Sequence, residues 1–561
     1  MSSSTSEKFD VEEQYPHPFA SVDYYDPAPG TWAPRALVEL RMYKLSATIR
    51  EKPEWWRKAQ DPSIRKTWFE EAKAQQEEVA PRWRLTDNMI NYTLGELEGY
   101  AQLRDEETGI EYGPYDRIWL SDKLIPDDLR SELQAAIKPF EDVPEAKKDW
   151  HPGSNNQVLD LVHPSLYPIV YGKTQIKQPD GTLATAQPPE SGAGISSHFV
   201  SSKFQWLPSD FAVHDDGRVS LASPYINNVP RARAVTLVPV LERAMARAVP
   251  LWERVLSDLR REELPMRVGP FVDNEGGMGA DIGLTCVWGE NGMGWPEGDD
   301  EDLEGEALEA WYASQPLSLP DCGPEYDGAL GARKEQLVSL RGKKLQVIVK
   351  LANIVLTPEN PEYPGGKWHV EGMYNEGIVS TFIYYYHSEN IQDTRLAFRQ
   401  ATAEPYYHEQ DDSFCMKTLY GLARDEPCVQ DVGSVATKER RCIAFPNLYQ
   451  HKVAPFKLED PTKPGLRKIL VFFLVDPTRQ VPSATTVPPQ QEGWLQDALY
   501  STGEGSRLAN LPVELLDAFA AMTPGTMSKE EAFRVREELM AERSVELSYG
   551  DGLFIHEFNM W

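Results

Sequence analysis

The chain of 561 residues is 41% hydrophobic and 26% charged, which excludes a mostly disordered chain, a collagen and a disulfide-stapled miniprotein. Its 57 basic and 87 acidic side chains leave a net charge of −30. Because nucleic-acid binding depends on clustered Lys and Arg, and anionic membrane surfaces repel acidic chains, we expect neither nucleic acid nor membrane as a partner.

The cysteines and the N-terminal segment indicate a cellular compartment. No apolar run approaches the ~18 residues that a membrane-spanning helix needs, and the N-terminal segment lacks the apolar core of a secretory signal. A sparse, odd set of cysteines without a CxxC pair is typical of a reducing compartment; the set is Cys286, Cys322, Cys415, Cys428 and Cys442. We therefore expect a cytoplasmic or nuclear protein that is not secreted.

The first 340 residues are predicted to hold most of the helices. A polar arm rich in Pro and Tyr covers 1–35. Region 36–340 is predicted to be mainly helical, as the apolar spacing of Ile64, Trp68 and Ala72 indicates. Because this region is dense in aromatic residues and no long Gly/Ser linker ends it, we expect it to pack on the rest of the chain.

The remaining sequence changes to a β pattern. Region 341–480 contains KLQVIVKLANIVL, IVSTFIYYY, RCIAFPNLYQHKV and RKILVFFLVD, which are rich in β-branched and aromatic residues. Several strands without intervening helices predict an antiparallel sandwich or jelly roll, and an α+β fold for the whole chain. Region 481–561 begins Pro-rich and then becomes a short helical extension. The acidic segment 297–309 is interpreted as a solvated loop.

The segment PGGKWHVEGMYNE carries the candidate chemistry. His369 and Glu371 are separated by one residue, and residues i and i+2 of an extended segment point the same way. Gly365 and Gly366 permit a tight loop before them. An imidazole and a carboxylate on one face are two of the three ligands of a 2-His-1-carboxylate Fe(II) site, which leaves three coordination positions open.

A third ligand and an anion-binding group are expected further along the chain. His451 follows the strand-like CIAFPNLYQ, and Arg467 opens the strand RKILVFFLVD. An Arg at that place can pair with a dicarboxylate through two parallel hydrogen bonds. The simpler alternative is that His369 and His451 are hydrogen-bonded loop residues and that Arg467 is a surface cation.

These segments resemble a known family. Residues 345–476 look like the double-stranded β-helix core of the 2-oxoglutarate/Fe(II) oxygenases. Over roughly 30–480, HPSLYPIVYG, YINNVP, PGGKWHVEGMYNE, AFPNLYQHKV and DPTKPGLRKILVFFLVDP resemble a mainly fungal family of long proteins catalogued as a domain of unknown function.

The resemblance implies a ligand set. His369, Glu371 and His451 would hold Fe(II), and Arg467 would hold the distal carboxylate of 2-oxoglutarate. Two positions depart from the oxygenase pattern: the acidic ligand is Glu where Asp is more usual, and Ile469 stands where many relatives carry Ser. The iron assignment is therefore firmer than the co-substrate assignment.

The resemblance also implies a reaction with molecular oxygen. Decarboxylation of 2-oxoglutarate to succinate would be coupled to oxidation of a small-molecule or peptide substrate. Relatives often place co-substrate contacts on the strand before the HxE loop, so the resemblance implies Lys350 and Asn353 there; Tyr384 or Tyr386 on the strand after the loop is a further candidate. Alternation places Tyr385 on the opposite face from those two tyrosines, and core packing is the alternative for each.

Two blocks of polar residues have no assigned chemistry. His163, with Gln157 and Asp160 nearby, lies in one, and Asn227 and Asn228 lie in the other. We expect them to bond loop backbone, with pocket lining as the alternative.

Two other functions remain open. One is a cupin-like metal enzyme without 2-oxoglutarate, for which an arginine anchor is unnecessary. The other is a non-catalytic scaffold or interaction protein, against which an intact set of metal ligands argues.

Overall fold

The computed structural model describes residues 14–19, 33–190, 195–268, 303–314, 321–405, 413–500, 511–554 and 557–558. The fold is mixed α+β with antiparallel sheets, as predicted. None of the helices in these ranges is long and apolar enough to cross a membrane. Most of the predicted N-terminal arm, and the part of the predicted acidic loop up to residue 302, lie outside the described residues.

Local capping explains where two of the helices begin. In the described residues the α-helices are α1 Leu37–Arg50, α2 Trp55–Lys58, α3 Pro62–Gln75, α4 Asp87–Leu103, α5 Asp127–Glu141, α6 Arg231–Leu259, α7 Gly305–Ser314, α8 Ser413–Tyr420, α9 Glu492–Tyr500, α10 Val513–Met522 and α11 Lys529–Phe554. The Asp61 side chain accepts from the N–H groups of Ser63 and Ile64 at the start of α3, and Thr86 accepts from Met89 in α4. These bonds satisfy first-turn N–H groups that have no partner inside the helix. Helix α7 begins inside the segment predicted as an acidic loop, which is therefore partly helical.

The strands are mostly short before residue 340 and long after it. In the described residues they are β1 Glu111–Tyr112, β2 Trp119–Ser121, β3 Val158–Val162, β4 Ile169–Val170, β5 Gln175–Lys177, β6 Leu183–Thr185, β7 Phe204–Gln205, β8 Ser209–Val213, β9 Val219–Leu221, β10 Lys344–Leu356, β11 Glu362–Tyr363, β12 Ile378–Glu389, β13 Arg395–Ala401, β14 Val429–Ala436, β15 Cys442–Pro446, β16 Gln450–Val453, β17 Phe456–Lys457 and β18 Gly465–Val475.

Two antiparallel sheets organise the β region. Within the described residues the main sheet has nine strands in the order β1-β2-β15-β12-β18-β10-β8-β9, with β3 also paired to β10, and a second sheet has the order β14-β13-β16. Strands β3 and β8 pair directly with β10, and β2 pairs with β15. These three strands come from the region predicted to be mainly helical, so the predicted division at residue 340 does not separate the helices from the sheet.

The main sheet has a helix face and an inner face. On the helix face, Trp252 of α6 lies with its ring centroid 6.3 Å from that of Phe382 and 6.4 Å from that of Phe472. On the inner face, Phe445 contacts Phe398 of the second sheet at 5.0 Å between centroids. Buried aromatic contacts of this kind couple α6, the main sheet and the second sheet into one hydrophobic core.

We expect a fragment consisting of residues 341–480 not to fold alone. It would lose β3 and β8, which pair with β10, and it would expose the aromatic residues that Trp252 covers. Limited proteolysis of the full chain, with the first cut expected in the acidic segment 297–309, tests this. Release of a soluble 341–480 fragment with native near-ultraviolet circular dichroism would contradict it.

Candidate metal centre

A glycine-dependent loop holds the HxE segment against β16. The backbone of Gly365 has φ +90°, and a Cβ there would lie 2.9 Å from the carbonyl oxygen of Val453. The N–H of Gly366 donates to that same carbonyl at 2.9 Å. A side chain at position 365 would therefore be strained and would push the loop away from the strand.

Backbone pairing brings the two histidines together. His369 and His451 exchange two hydrogen bonds, with N···O distances of 3.2 and 2.9 Å, as in a hydrogen-bonded antiparallel pair. Their ring centroids are 4.4 Å apart. Strand β16 fixes His451 opposite Phe398 of β13, and the His451 ring packs on Phe445 at 4.9 Å.

Glu371 completes a group of three converging ligand atoms. Its Oε1 lies 3.7 Å from Nε2 of His369 and 3.4 Å from Nε2 of His451. Both distances are too long for a good hydrogen bond. A metal about 2.0–2.2 Å from each of three ligands places those ligands about 3–3.5 Å apart. The Glu371–His451 distance lies in that range and the Glu371–His369 distance is slightly longer, so the group is close to the spacing of a metal site.

The charge states of two of the three groups also fit a metal. Burial by itself would raise the pKa of Glu371, but the two facing imidazoles outweigh burial and hold it well below its usual range. Burial and the neighbouring His369 lower the pKa of His451. Burial opposes protonation of His369, yet Glu371 raises its pKa overall. Glu371 and His451 are therefore shifted towards the deprotonated forms that metal binding requires, whereas His369 must release a proton when a metal binds.

The groups around the ligands fix their orientation. Nδ1 of His369 lies 2.8 Å from the carbonyl oxygen of Lys367, so Nδ1–H donates to it and Nε2 is left with its lone pair for a metal. The buried Asn447 accepts from the N–H of Glu371 at 2.8 Å and donates to its carbonyl at 2.9 Å and to that of Ile378 at 3.1 Å. Asn447 therefore clamps the loop that presents the carboxylate.

Asn447→Ala is expected to weaken divalent-metal binding about 10- to 100-fold, the usual effect of losing an outer-shell partner. Metal titration of the purified protein measures this. Asn390→Ala is the matched control, because the Asn390 side chain likewise donates to backbone carbonyl groups, those of Asp460, Lys463 and Pro464, but lies outside the site. Equal metal affinity of the Asn447→Ala and Asn390→Ala proteins would contradict the role of Asn447 in holding the Glu371 loop.

The three candidate ligands lie beside a cavity of about 340 Å³. His369 and Glu371 line it, and so does Lys350, which extends from the inner face of β10. A broader groove of about 900 Å³ adjoins the cavity and shares His151 and Lys367 with it. The volumes of the cavity and of the groove are both within the range of small-molecule binding pockets.

Arg467 is buried on the inner face. It pairs in register with Ile354, whereas Lys350 pairs with Val471, so alternation places both cations on the same face. The Arg467 side chain is 2% exposed and lies 4.7 Å from the Phe456 ring. Its Nε and Nη1 have no hydrogen-bond partner within the described residues, and burial lowers its pKa. An unsatisfied buried guanidinium fits an anionic ligand.

Three of the predicted co-substrate contacts are wrong. Tyr384 and Tyr386 lie on the helix face, with Tyr384 paired to Leu470 and the two rings 6.2 Å apart. Asn353 also faces the helices, because its Nδ2 donates to Glu141 of α5 at 2.9 Å. The physical reason is alternation: Asn353 is three residues from Lys350 on one strand, so both cannot face the cavity.

Tyr385 is the tyrosine of this strand on the inner face, with its ring 5.9 Å from the Arg467 guanidinium. The asparagines behave as expected: Asn227 donates to the carbonyl groups of Leu166 and Tyr167, and Asn228 to those of His163 and Leu166. His163 fulfils both descriptions: its Nδ1 accepts from the N–H of Ser165, and its side chain also lines the cavity.

Several site residues were not predicted from the sequence. Asn447 lies inside the quoted motif AFPNLYQHKV, where an Asn between a strand and a distal histidine was the available signal. His151 had no recognised partner. Helix α11 also contributes Arg543, which lines the cavity and forms an ion pair with Glu376; nothing in the sequence places that helix near the HxE loop.

Family comparison identifies the chain. A family model described as a protein of unknown function, DUF4246, matches residues 87–498, and the model of its N-terminal domain matches residues 1–71. The chain belongs to the DUF4246 family. A search of curated proteins gives no significant match.

Solved structures give only distant similarities. They include a selenomethionine-labelled Fe(II)/α-ketoglutarate-dependent dioxygenase, TqaL, at 16% identity over 26% of this chain and 49% of that one, with a TM-score of 0.16. IDO from Bacillus thuringiensis matches at 12% identity over 26% of this chain and 52% of that one, with a TM-score of 0.16. A bsmA homologue from Methylobium petroleophilum matches at 15% identity over 33% of this chain and 58% of that one, with a TM-score of 0.17. The chain thus spans about half the length of these proteins, and such scores carry no argument about function.

Proposed function

We propose that this DUF4246 protein is a 2-oxoglutarate-dependent Fe(II) oxygenase with a double-stranded β-helix core. The observation that carries the proposal is the convergence of two imidazole Nε2 atoms and one carboxylate oxygen beside a cavity. His369, Glu371 and His451 are the ligands in this account. The second sheet, facing the inner side of the main sheet, supplies His451, and the loop before β12 supplies the other two.

The donor set supports Fe(II). Two neutral imidazoles and one carboxylate occupy three positions and leave three for a chelating 2-oxo acid and oxygen. Bound Fe(II) would supply the redox chemistry with oxygen that none of the protein side chains can perform. The protein residues would hold the ion, fix the Glu371 loop through Asn447, and keep Glu371 and His451 deprotonated.

Two cations on the inner face support a dicarboxylate co-substrate. Arg467 is buried with unsatisfied donor atoms, and Lys350 lines the cavity. Arg467 does not line the cavity or the adjoining groove; it packs on Phe456, which lines the groove. In this account Arg467 binds the distal carboxylate, and Lys350 adds positive potential nearer the metal.

Succinate formation tests the proposal. The full chain with Fe(II), oxygen and 2-oxoglutarate is expected to release succinate, faster when a panel of amino acids, peptides and metabolites contains its substrate. Iron binding with oxygen consumption but no succinate would favour a metal enzyme that does not use 2-oxoglutarate. Absence of both iron binding and turnover would leave the scaffold alternative.

A further inference from the structure

His151, Asp160 and His163 form a second polar group in the wall of the same cavity. Nδ1 of His151 lies 2.8 Å from Oδ2 of Asp160, and the rings of His151 and His163 are 5.1 Å apart. Asp160 and His163 are buried, and both histidines line the cavity beside His369. Ligand-type atoms of the three residues lie within 4.8 Å of one another, so the composition is the same as in the metal centre apart from Asp replacing Glu.

Hydrogen bonding distinguishes this group from a metal site. The backbone N–H of Ser165 donates to Nδ1 of His163 at 3.2 Å, so the hydrogen of the neutral ring lies on Nε2, which then has no lone pair for a metal. In the metal centre the ring of His369 has the opposite tautomer. Arg536 also lies 3.7 Å from Oδ2 of Asp160, so a cation already faces the carboxylate.

The charge states define one donor and one acceptor. Although burial opposes it, the two neighbouring histidines lower the pKa of Asp160 to about 2, so it is a carboxylate. Its Oδ2 therefore accepts from Nδ1–H of His151, and in the tautomer with its hydrogen on Nδ1 the Nε2 atom of His151 is an acceptor. Burial lowers the pKa of His163 to about 3, so its Nε2–H remains a donor at neutral pH.

We propose that His151 and His163 form the subsite for the polar end of the substrate, and that this end is a carboxamide. A carboxamide offers an N–H to the acceptor on His151 and a carbonyl oxygen to the donor on His163. Phe19, Phe199 and Val370 line the cavity and suit an apolar body behind the amide. The proposal rests on the proposed function, because it takes this cavity to be the substrate site.

Matched small probes test the assignment without turnover. Benzamide, acetophenone and benzyl alcohol have the same ring and differ in the polar group, and acetophenone replaces the amide NH2 by a methyl group. Their binding to the full chain is measured by ligand-observed NMR at about pH 8, above the ordinary pKa range of histidine. Benzamide is expected to bind about 2- to 10-fold more tightly than acetophenone, as one net hydrogen bond allows.

Variants assign the two hydrogen bonds. His151→Leu is expected to abolish the preference for benzamide over acetophenone, because only benzamide donates to His151. His163→Leu is expected to weaken both probes similarly, because both offer a carbonyl. His214→Leu is the control, since His214 is exposed and bonds Ser220 outside the cavity. A short glutamine-containing peptide, as a further arm, distinguishes a protein side chain from a small amide as the source.

Several outcomes would overturn the carboxamide subsite. They are no binding of benzamide by the wild type, equal binding of benzamide and acetophenone, tighter binding of benzyl alcohol, or a preference that survives His151→Leu. The wild-type comparison needs no variant to fold. Because binding is measured without Fe(II) or 2-oxoglutarate, its failure is separate from a failure to form succinate.

Discussion

Alanine at His369 or His451 is expected to abolish Fe(II) binding and turnover while the fold is retained. Loss of an outer-shell partner already weakens metal binding about 10- to 100-fold, and loss of a direct ligand should exceed that. The fold should persist because His369 lines the cavity and the aromatic residues Phe445 and Phe398 around the buried His451 are unchanged. Iron content after gel filtration and thermal unfolding measure the two effects.

The chain contains a matched control for this experiment. His387 and Glu389 have the same one-residue separation, with Nε2 of His387 3.5 Å from Oε2 of Glu389. Within the described residues, they belong to neither group whose ligand atoms converge. His387→Ala should therefore keep wild-type iron content. Iron content that is wild-type in His369→Ala, or lost equally in His387→Ala, would contradict the assigned centre.

Arg467→Ala is expected to weaken apparent 2-oxoglutarate affinity about 10- to 150-fold, since a hydrogen bond to a charged group is worth about 1.5–3 kcal/mol. Iron binding should be unchanged. Arg467→Lys should restore only part of the affinity, because lysine lacks the planar fork. Succinate formation measured against 2-oxoglutarate concentration gives the apparent affinity.

Lys468→Ala is the control for Arg467. Lys468 lies on the helix face, where its Nζ forms an ion pair with Glu141 at 2.7 Å, so its loss should leave 2-oxoglutarate affinity unchanged. Unaltered affinity in Arg467→Ala would exclude the anchor role. In that case Lys350, which lines the cavity, becomes the remaining cation of the inner face to test.

The recurrence of the HxE spacing shows how far sequence could specify the site. HVE at 369–371 and HSE at 387–389 are equivalent as patterns. What distinguishes them is the loop after Gly365, which pairs His369 with His451 across two strands. Pairing between segments 82 residues apart depends on sheet topology, which local spacing does not contain.

The tyrosine prediction failed for a related reason. Alternation correctly placed Tyr384 and Tyr386 opposite Tyr385, but it does not say which face lies towards the site. That choice is made by packing of α5 and α6 on one side of β12. Strand β12 also shifts register between Tyr385 and His387 where it pairs with β18, so simple alternation ends there.

The walls of the cavity were the least predictable part. They come from the segments around His151 and His163, from the HxE loop and from helix α11, which are distant in sequence. Arg536 of α11 reaches Asp149 at 2.8 Å. Such contacts arise from tertiary packing, and the composition of each segment alone is that of an ordinary polar loop or helix.

Anaerobic titration of the iron-loaded protein with 2-oxoglutarate tests the proposed oxygenase function without knowledge of the substrate. We expect a visible charge-transfer absorption from a 2-oxo acid chelated to Fe(II), which saturates at one equivalent per chain in the wild type and is absent in His369→Ala. The proposed function would be contradicted by a wild-type protein that binds Fe(II) yet develops no such absorption, or by equal absorption in His369→Ala.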